Sequence, residues 1–228
     1  MSRYPERLHL VVLPGGAYQR HAPHEGEPVA EWLRGLGYGA SVFAYPLSAR
    51  HPAALVAVQD EVARLRASGL LRVGLVGFSA GGHAAALATV RARPDARVDA
   101  CILGYPVITT RPELPTRSRR VLIGDHPVEA DEHATSADEH VSPDTPPCFI
   151  WHTADDEVVP VEHSYRLAIA LARAGIRHEL HVYPHGAHGL GLAEHHPGTA
   201  EWTRTCERWL AALDPREPAP EVPDIAVF

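Results

Sequence analysis

The sequence predicts a three-layer α/β fold, in which helices cover both faces of a mostly parallel β-sheet. Short apolar runs alternate along the chain with segments that have the periodicity of amphipathic or buried helices. Glycine or proline stands at many of the boundaries between these runs and segments, as is typical of connections between strands and helices. The length of 228 residues suits one domain of this class, with a core large enough for a single sheet.

Six runs have the composition of strands, and they cover residues 8–13, 39–45, 72–78, 99–106, 148–152 and 177–183. Five segments have helical patterns, and they cover residues 28–37, 52–69, 80–92, 161–175 and 199–213. The stretch 109–147 is polar and irregular, and we expect it to lie over the functional site because it leaves the fourth strand at its carboxyl end. We therefore predict one domain over 1–213, followed by a proline-rich tail over 214–228.

Charge and composition narrow the class of partner and compartment. The net charge of −7 and a pI of about 6.1, without a cluster of lysine and arginine, argue against binding to nucleic acid. No apolar run approaches the ~20 residues that span a bilayer, and the N-terminus lacks the apolar region of a signal peptide. We therefore expect a cytoplasmic protein without membrane partners. The three scattered cysteines indicate neither a disulfide framework nor a zinc site.

A serine stands between two glycines where the third predicted strand meets an alanine-rich helix. The sequence there is GFSAG (77–81), which fits the pattern G-x-S-x-G. Such a turn lifts the hydroxyl of Ser79 clear of the sheet, and small neighbours are needed because larger side chains would collide with the strand and helix. A glycine-rich turn that happens to contain serine is the alternative. The apolar strand before Ser79 and the helix after it favour a nucleophile.

A serine nucleophile needs a histidine base and an acid, and in this type of fold both follow the serine in the chain. Two candidate acids, Asp155 and Asp156, come directly after the fifth predicted strand, although acids before a helix also serve as caps. Two candidate bases, His185 and His188, lie in the glycine-containing loop after the sixth strand. The residue pattern leaves both choices open. Two histidines three positions apart outside a helix are weak support for a metal, so we predict no metal site.

Acyl transfer also needs backbone N–H groups that stabilise the negative oxygen of the transition state. The N–H of Ala80, directly after the candidate nucleophile, is one such donor. The others are expected in LPGGAY (13–18), where small residues after the first strand allow close approach of a ligand. An ordinary Pro-Gly turn is the alternative interpretation of this stretch.

Together these residues resemble the α/β-hydrolases, and within them the small carboxylesterase group that includes acetylxylan-esterase-like proteins. The resemblance covers about residues 10–213, and it is carried by PGGAY, HEGEPVAEWLRGLGY, GFSAGGHAAALA, VSPDTPPCFIWHTADDEVVPVEHS and ELHVYPHGAHGLGLA. It implies an α/β-hydrolase fold with a sheet of about six parallel strands.

The resemblance also assigns roles to individual residues. It implies a triad of nucleophile, acid and base at Ser79, Asp156 and His188. It implies three backbone donors to the oxyanion at Gly16, Ala17 and Ala80. The chain departs from many relatives at Ala17, where they have a third glycine, and at Pro14, where they have histidine. The methyl group of Ala17 is expected to narrow the acyl pocket.

The expected activity is hydrolysis of short-acyl esters, in particular acetyl esters of sugars or other small alcohols. The polar composition of 109–147 differs from the apolar lid of a lipase, and no metal or organic cofactor is required. The expected partner is a small-molecule ester, and a homo-oligomer is left open. Two alternatives stand beside this interpretation. The triad is shared with dienelactone and peptide-type hydrolases, and a non-catalytic binding module could retain the same fold.

Overall fold

The computed structural model describes residues 7–213, and the strands in this range form one sheet in which every neighbouring pair is parallel. The six strands have the spatial order β2-β1-β3-β4-β5-β6. Their bounds are β1 His9–Leu13, β2 Gly39–Val42, β3 Val73–Phe78, β4 Ala100–Gly104, β5 Cys148–Thr153 and β6 His178–Tyr183. The predicted parallel sheet of about six strands is confirmed. From β1 the chain first adds β2 on one side and then adds β3 and the later strands on the other side. In open sheets of this kind, ligands bind at the carboxyl ends of the strands where the order reverses, which here is between β1 and β3.

Helices cover both faces of the sheet. Within the described range they are α1 Glu27–Gly35, α2 Ala53–Ala67, α3 Ser79–Val90, α4 Arg117–Ile123, α5 Glu129–Thr135, α6 Glu162–Arg173 and α7 Pro197–Leu213. Helices α2, α3 and α6 pack on one face, and α1 and α7 pack on the other. From residue 7 to residue 213, no helix combines the length and the apolar character that a membrane crossing requires. The predicted tail, 214–228, lies outside the described residues.

The centre of the sheet explains why its strands are nearly continuous apolar runs. Every residue of β3, β4 and β5 is buried, because helices cover these strands on both faces. On the side of α1 and α7 the core is aromatic, and the rings of Trp151 and Trp202 stack with their centroids 4.9 Å apart. On the other side it is aliphatic and rich in alanine, which lets α3 lie close to the sheet.

The prediction that 109–147 is irregular throughout is wrong. The segment contains α4, α5 and a 3₁₀ helix at Ala137–His140. Both α-helices are only seven residues long and rich in charge, which is too short for a periodic apolar face to appear in the sequence. The segment is fastened to α3, since the buried imidazole of His83 donates to the carbonyl of Thr135 at 2.7 Å and Arg91 donates to the carbonyl of Ala134 at 2.8 Å.

Candidate active site

Ser79 occupies a sharp turn between β3 and α3. It is the first residue of α3, it is largely buried, and its φ of 53° is one that residues other than glycine rarely adopt. The turn is tight enough to exclude side chains at its neighbours. A Cβ at Gly77 would collide with the carbonyl oxygen of Gly81, and a Cβ at Gly81 would collide with the carbonyl oxygen of Leu13. The two glycines therefore allow the close approach of strand and helix that places the serine hydroxyl at the edge of the sheet.

Gly81→Ala is accordingly expected to lower the free energy of unfolding by about 3 kcal/mol or more, because the added methyl group meets backbone that cannot move aside cheaply. Gly198→Ala is the matched control, since Gly198 lies in α7 and an added Cβ has open space around it. The control should be neutral or stabilise by up to about 1 kcal/mol. Urea unfolding measures both changes, and equal stability of the two variants would contradict this account of the turn.

The structure brings three of the predicted side chains into one hydrogen-bonded chain. The Nε2 atom of His188 lies 2.8 Å from Oγ of Ser79, and its Nδ1 atom lies 2.7 Å from Oδ2 of Asp156. A carboxylate only accepts hydrogen bonds, so Nδ1 carries the proton and Nε2 is left to accept from the serine hydroxyl. The side chain of Asp156 is fully buried and that of His188 is 15% exposed. The arrangement leaves the imidazole beside the serine with its acceptor nitrogen directed at the hydroxyl.

Asp156 is held in its charged form by hydrogen bonds. Burial by itself would raise the pKa of this carboxyl group, but hydrogen bonds from His152, His188 and the N–H of Val159 lower the pKa well below the ordinary value. Its Oδ1 atom accepts from the N–H groups of Val158 and Val159, both at 2.9 Å. The carboxylate is therefore ionised at neutral pH and oriented toward His188, where it can stabilise a positive imidazole.

His152 is a second histidine on the same carboxylate, and sequence reasoning passed over it because it lies inside a predicted strand. It is fully buried, and its Nε2 atom lies 2.9 Å from the carbonyl oxygen of Val159 and 3.4 Å from Oδ2 of Asp156. Since a carbonyl only accepts, Nε2 carries the proton and Nδ1 accepts from the hydroxyl of Ser164 at 2.8 Å. His152 thus holds Asp156 from behind the site.

The second pair of candidates, Asp155 and His185, forms a separate contact. Oδ2 of Asp155 lies 3.0 Å from Nδ1 of His185, and Oδ1 accepts from the N–H of Gly186 at 2.8 Å. These hydrogen bonds lower the pKa of Asp155, and both side chains are substantially exposed. The pair fastens the loop after β6, whereas Asp156 and His188 meet Ser79. In the part of the chain that the structure describes, no three His, Cys, Asp or Glu side chains are grouped as metal ligands.

The loop after β1, residues 14–18, has an unusual backbone beside the serine. Gly16, Ala17 and Tyr18 have φ angles of 127°, 56° and 60°. A Cβ at Gly15 would collide with Cβ of Ser79, so this loop passes directly over the nucleophile position. Ala80 lies in the first turn of α3, where backbone N–H groups have no partner within the helix. The predicted donor positions therefore lie on the two segments that border Ser79.

Tyr18 fixes this loop from inside the protein. Its ring is buried, and its hydroxyl lies 2.7 Å from Nδ1 of His83. Because Nε2 of His83 donates to the carbonyl of Thr135, Nδ1 must accept from the tyrosine hydroxyl. Burial lowers the pKa of His83 to about 4, so this imidazole is neutral and can hold that tautomer. Neither residue was a candidate from the sequence, since an aromatic residue and a helical histidine carry no local signal of such a contact.

Two further polar side chains beside the site were also absent from the sequence-based candidates. Glu25 is 2% exposed and Tyr105 is 1% exposed. The ring of Tyr105 contacts the imidazole of His188 edge-on, with a centroid separation of 5.0 Å. In the sequence Glu25 has the pattern of an acid before a helix, and Tyr105 lies inside the predicted strand 99–106. Only the tertiary structure shows that both face the loops around Ser79.

A solved structure of a hydrolase has the same architecture. The acetyl ester-xyloside bifunctional hydrolase from Caldicellulosiruptor lactoaceticus is 38% identical to this chain and superposes with a TM-score of 0.86. The similarity covers 91% of this chain and 83% of that one. The structural agreement confirms the predicted α/β-hydrolase fold, and the sequence identity indicates that the two proteins share an ancestor.

Two curated relatives are longer than this chain. Endo-1,4-beta-xylanase B of Butyrivibrio fibrisolvens is 34% identical over 206 residues, which is 81% of this chain and 32% of that protein. The acetylxylan esterase of Xylanibacter ruminicola is 26% identical over 246 aligned residues, which is 98% of this chain and 48% of that protein. This chain thus corresponds to a third of the first relative and about half of the second.

The family assignment comes from the larger part of the domain. Residues 53–213 match the prolyl oligopeptidase family, and this range includes the serine turn and the loops that carry Asp156 and His188. The resemblance to esterases that the sequence motifs indicated is confirmed by the acetylxylan esterase and the acetyl ester hydrolase among its relatives. The chain is therefore a member of the prolyl oligopeptidase family of α/β-hydrolases, and its similarity to known esterases makes it an esterase-like member.

Proposed function

We propose that the chain is a serine carboxylesterase that removes short acyl groups, in particular acetyl, from sugars or other small alcohols. The observation that carries the proposal is the hydrogen-bonded chain from Ser79 through His188 to Asp156 at the carboxyl edge of the sheet. A serine hydroxyl is a weak nucleophile at neutral pH unless an adjacent base takes its proton. Here Nε2 of an oriented imidazole, that of His188, lies within hydrogen-bonding distance of the serine hydroxyl.

The first half of the reaction forms an acyl-serine. Nε2 of His188 takes the proton from Ser79 while Oγ attacks the ester carbonyl carbon, and the carbonyl electrons move onto oxygen. The N–H groups of Gly16, Ala17 and Ala80 stabilise this oxyanion, and removing one such donor costs about 3 kcal/mol in other hydrolases. The tetrahedral intermediate then collapses. The alcohol leaves with the proton that the imidazolium returns to its oxygen.

The second half releases the acid. Water gives a proton to Nε2 of His188 and attacks the acyl carbon of the acyl-serine. When the second tetrahedral intermediate collapses, Oγ of Ser79 leaves and regains its proton from the imidazolium. Asp156 remains ionised throughout, because its low pKa keeps the proton on the imidazole, and it stabilises the positive ring in both halves. The reaction is completed with water as the only co-substrate.

Three arguments support a small acyl group on a polar alcohol. Ala17 stands where many relatives have glycine, and its methyl group is expected to narrow the space for the acyl chain. The segment 109–147 is rich in charged and polar side chains and does not provide an apolar lid. One relative is named an acetylxylan esterase, and another is named a bifunctional hydrolase of acetyl esters and xylosides.

The preference for acyl length is tested with p-nitrophenyl acetate, butyrate and octanoate. We expect kcat/KM to fall by about tenfold or more from acetyl to octanoyl, because a chain longer than the pocket cannot be accommodated without loss of contacts. An Ala17→Gly variant should reduce this difference, since it removes the methyl group that narrows the pocket. A steady rise in kcat/KM from acetyl to octanoyl in the wild-type protein would contradict the proposal.

A peptide-type hydrolase is the second candidate, and the match of residues 53–213 to the prolyl oligopeptidase family favours it. The same triad cleaves amides, although the amine is a poorer leaving group than an alcohol. A prolyl p-nitroanilide assayed beside p-nitrophenyl acetate separates the two. Turnover of the anilide without turnover of the acetate would assign the chain to peptide derivatives instead.

A further inference from the structure

We propose that Glu25 is a positioning residue that joins the two loops on which the reaction depends. One is the oxyanion loop, residues 14–18, and the other is the histidine loop, residues 184–191. Through Tyr105, Glu25 holds these loops at a fixed separation, so that the oxyanion donors and the base are placed correctly with respect to Ser79. The inference rests on the proposed esterase function, and it adds a residue that the triad and the oxyanion donors do not include.

The carboxylate of Glu25 is buried and has a partner on each oxygen. Oε2 accepts from the N–H of Gly15 at 2.7 Å, and Oε1 accepts from the hydroxyl of Tyr105, also at 2.7 Å. Burial of a carboxylate is costly unless its hydrogen bonds are made. Its nearest ion-pair contact is His24, whose exposed imidazole lies 3.8 Å from Oε1. Among residues 7–213, the charge is thus satisfied by groups of the site itself and not by a buried cation.

The hydrogen-bond directions make the connection continuous. The N–H of Gly191, in the histidine loop, donates to the oxygen of Tyr105 at 2.8 Å. The phenol oxygen therefore accepts from Gly191, and its own proton goes to Glu25. Burial and the charge of Glu25 raise the pKa of Tyr105 well above its ordinary value, which keeps that proton in place. A single path of hydrogen bonds thus runs from Gly15 through Glu25 and Tyr105 to Gly191.

Both ends of this path touch the reacting groups. Gly15 lies so close to Ser79 that a Cβ there would collide with both Ser79 and Glu25. At the other end, the ring of Tyr105 packs edge-on against the imidazole of His188. A neighbouring contact reinforces the histidine loop, since Nε2 of His24 donates to the carbonyl of Gly189 at 2.7 Å. The residues before α1 therefore hold the loop that carries the base.

Loss of this connection should reduce the rate of the chemical steps more than the binding of substrate. A displacement of about 1 Å in catalytic groups can cost about a hundredfold in rate. A small acetyl ester makes few contacts with the histidine loop before reaction, so its binding is expected to change little. A residue that only stabilises the fold would instead lower the melting temperature and leave kcat unchanged in the folded protein.

The experiment compares Glu25→Gln, Tyr105→Phe and the double variant. Each substitution keeps the shape of the side chain but interrupts the path of hydrogen bonds. Glutamine has one acceptor oxygen and cannot accept from both Gly15 and Tyr105, and phenylalanine lacks the hydroxyl that donates to residue 25. We expect each single variant to lower kcat for p-nitrophenyl acetate by about 10- to 100-fold, with KM within about threefold of wild type. The double variant should lose little more than the poorer single variant, because both substitutions break the same connection.

Leu210→Ala is the control for stability. Leu210 is 1% exposed in α7, packs in the same aromatic core as Tyr105, and does not touch either loop by a hydrogen bond. All variants are assayed at a temperature where circular dichroism shows them folded, and the control should keep kcat within about twofold despite its lower melting temperature. If Glu25→Gln does not fold, the kcat of Tyr105→Phe is compared with that of Leu210→Ala, and this comparison tests the same connection.

Three results would overturn the inference alone. One is an unchanged kcat in the folded Glu25→Gln and Tyr105→Phe variants. The second is a double variant whose loss of kcat is the product of the single losses, and the third is a control that loses as much kcat as the loop variants. In each case an active wild type and an inactive Ser79→Ala variant leave the proposed esterase intact. A wild type that does not hydrolyse acyl esters, by contrast, overturns the proposed function and the inference together.

Discussion

Ser79→Ala is expected to abolish ester hydrolysis, with a loss in kcat of about 10⁴-fold or more. In another serine hydrolase, removal of the nucleophile cost about 10⁶-fold, and the residual rate came from the oxyanion donors and substrate binding. The substitution removes only Oγ, so it eliminates the acyl-serine and leaves the remaining groups in place. Hydrolysis of p-nitrophenyl acetate measures the loss, and a fluorophosphonate probe should label wild type but not the variant.

Ser48→Ala is the matched control. Ser48 also has a positive φ, 52°, and lies beyond the carboxyl end of β2, which is separated from β3 by β1. Its backbone N–H donates to the carbonyl of Tyr18, and this bond survives the substitution. The control should keep kcat within about twofold of wild type. Equal rates for Ser79→Ala and wild type would end the esterase assignment and favour a non-catalytic binding module.

Asp156→Asn is expected to give the second-largest effect, a loss in kcat of about 10³- to 10⁴-fold. The amide nitrogen of asparagine can donate to Nδ1 of His188, which favours the tautomer with the proton on Nε2, where it cannot accept from Ser79. The structure predicts a much smaller effect at the adjacent position. Asp155→Asn should lower kcat by less than about tenfold, since Asp155 contacts the exposed His185 and the backbone of the histidine loop.

The comparison of the two variants is a direct test of the geometry. Both substitutions remove one charge from the same loop, so long-range electrostatic effects and changes in net charge are closely matched. A larger loss from Asp155→Asn would show that the base and acid are paired differently in solution. A pH profile adds a second measure. Activity of the wild-type protein should not decline through protonation of Asp156 at mildly acidic pH, because its pKa is strongly lowered.

The fold was largely predictable because its central strands are buried on both faces. Burial selects uninterrupted apolar residues, and such runs are visible in the sequence without any knowledge of the tertiary structure. The helices α4 and α5 were not predicted for the opposite reason. Each makes only two turns, and α4 begins at a side-chain cap, Thr116, that resembles an ordinary loop threonine. Such helices depend on tertiary contacts more than on local sequence.

The site was predictable only in part. Local sequence places one serine at a sharp turn, but it offers two acids and two histidines in the same pair of loops. Both acid–histidine pairs form hydrogen bonds in the structure, so the type of contact does not distinguish them. The hydrogen bond between His188 and Ser79 distinguishes them, and that contact is a property of the folded loops. Glu25 and Tyr105 are 80 positions apart in the sequence, and no local pattern predicts a contact between residues so far apart.

The unusual backbone angles also bear on how the protein could be engineered. Between residues 7 and 213, every non-glycine residue with a positive φ lies in a connection that leaves the carboxyl end of a strand: Ala17, Tyr18, Ser48, Ser79, Tyr105 and Ala193. Such conformations cost of order 1–3 kcal/mol each. Conformational cost is thus concentrated at the edge of the sheet where the proposed reaction takes place. Attempts to raise thermal stability should therefore begin at the opposite edge of the sheet and on the outer helices. Substitutions that relieve the backbone strain at the carboxyl edge would disturb the geometry that the chemistry requires.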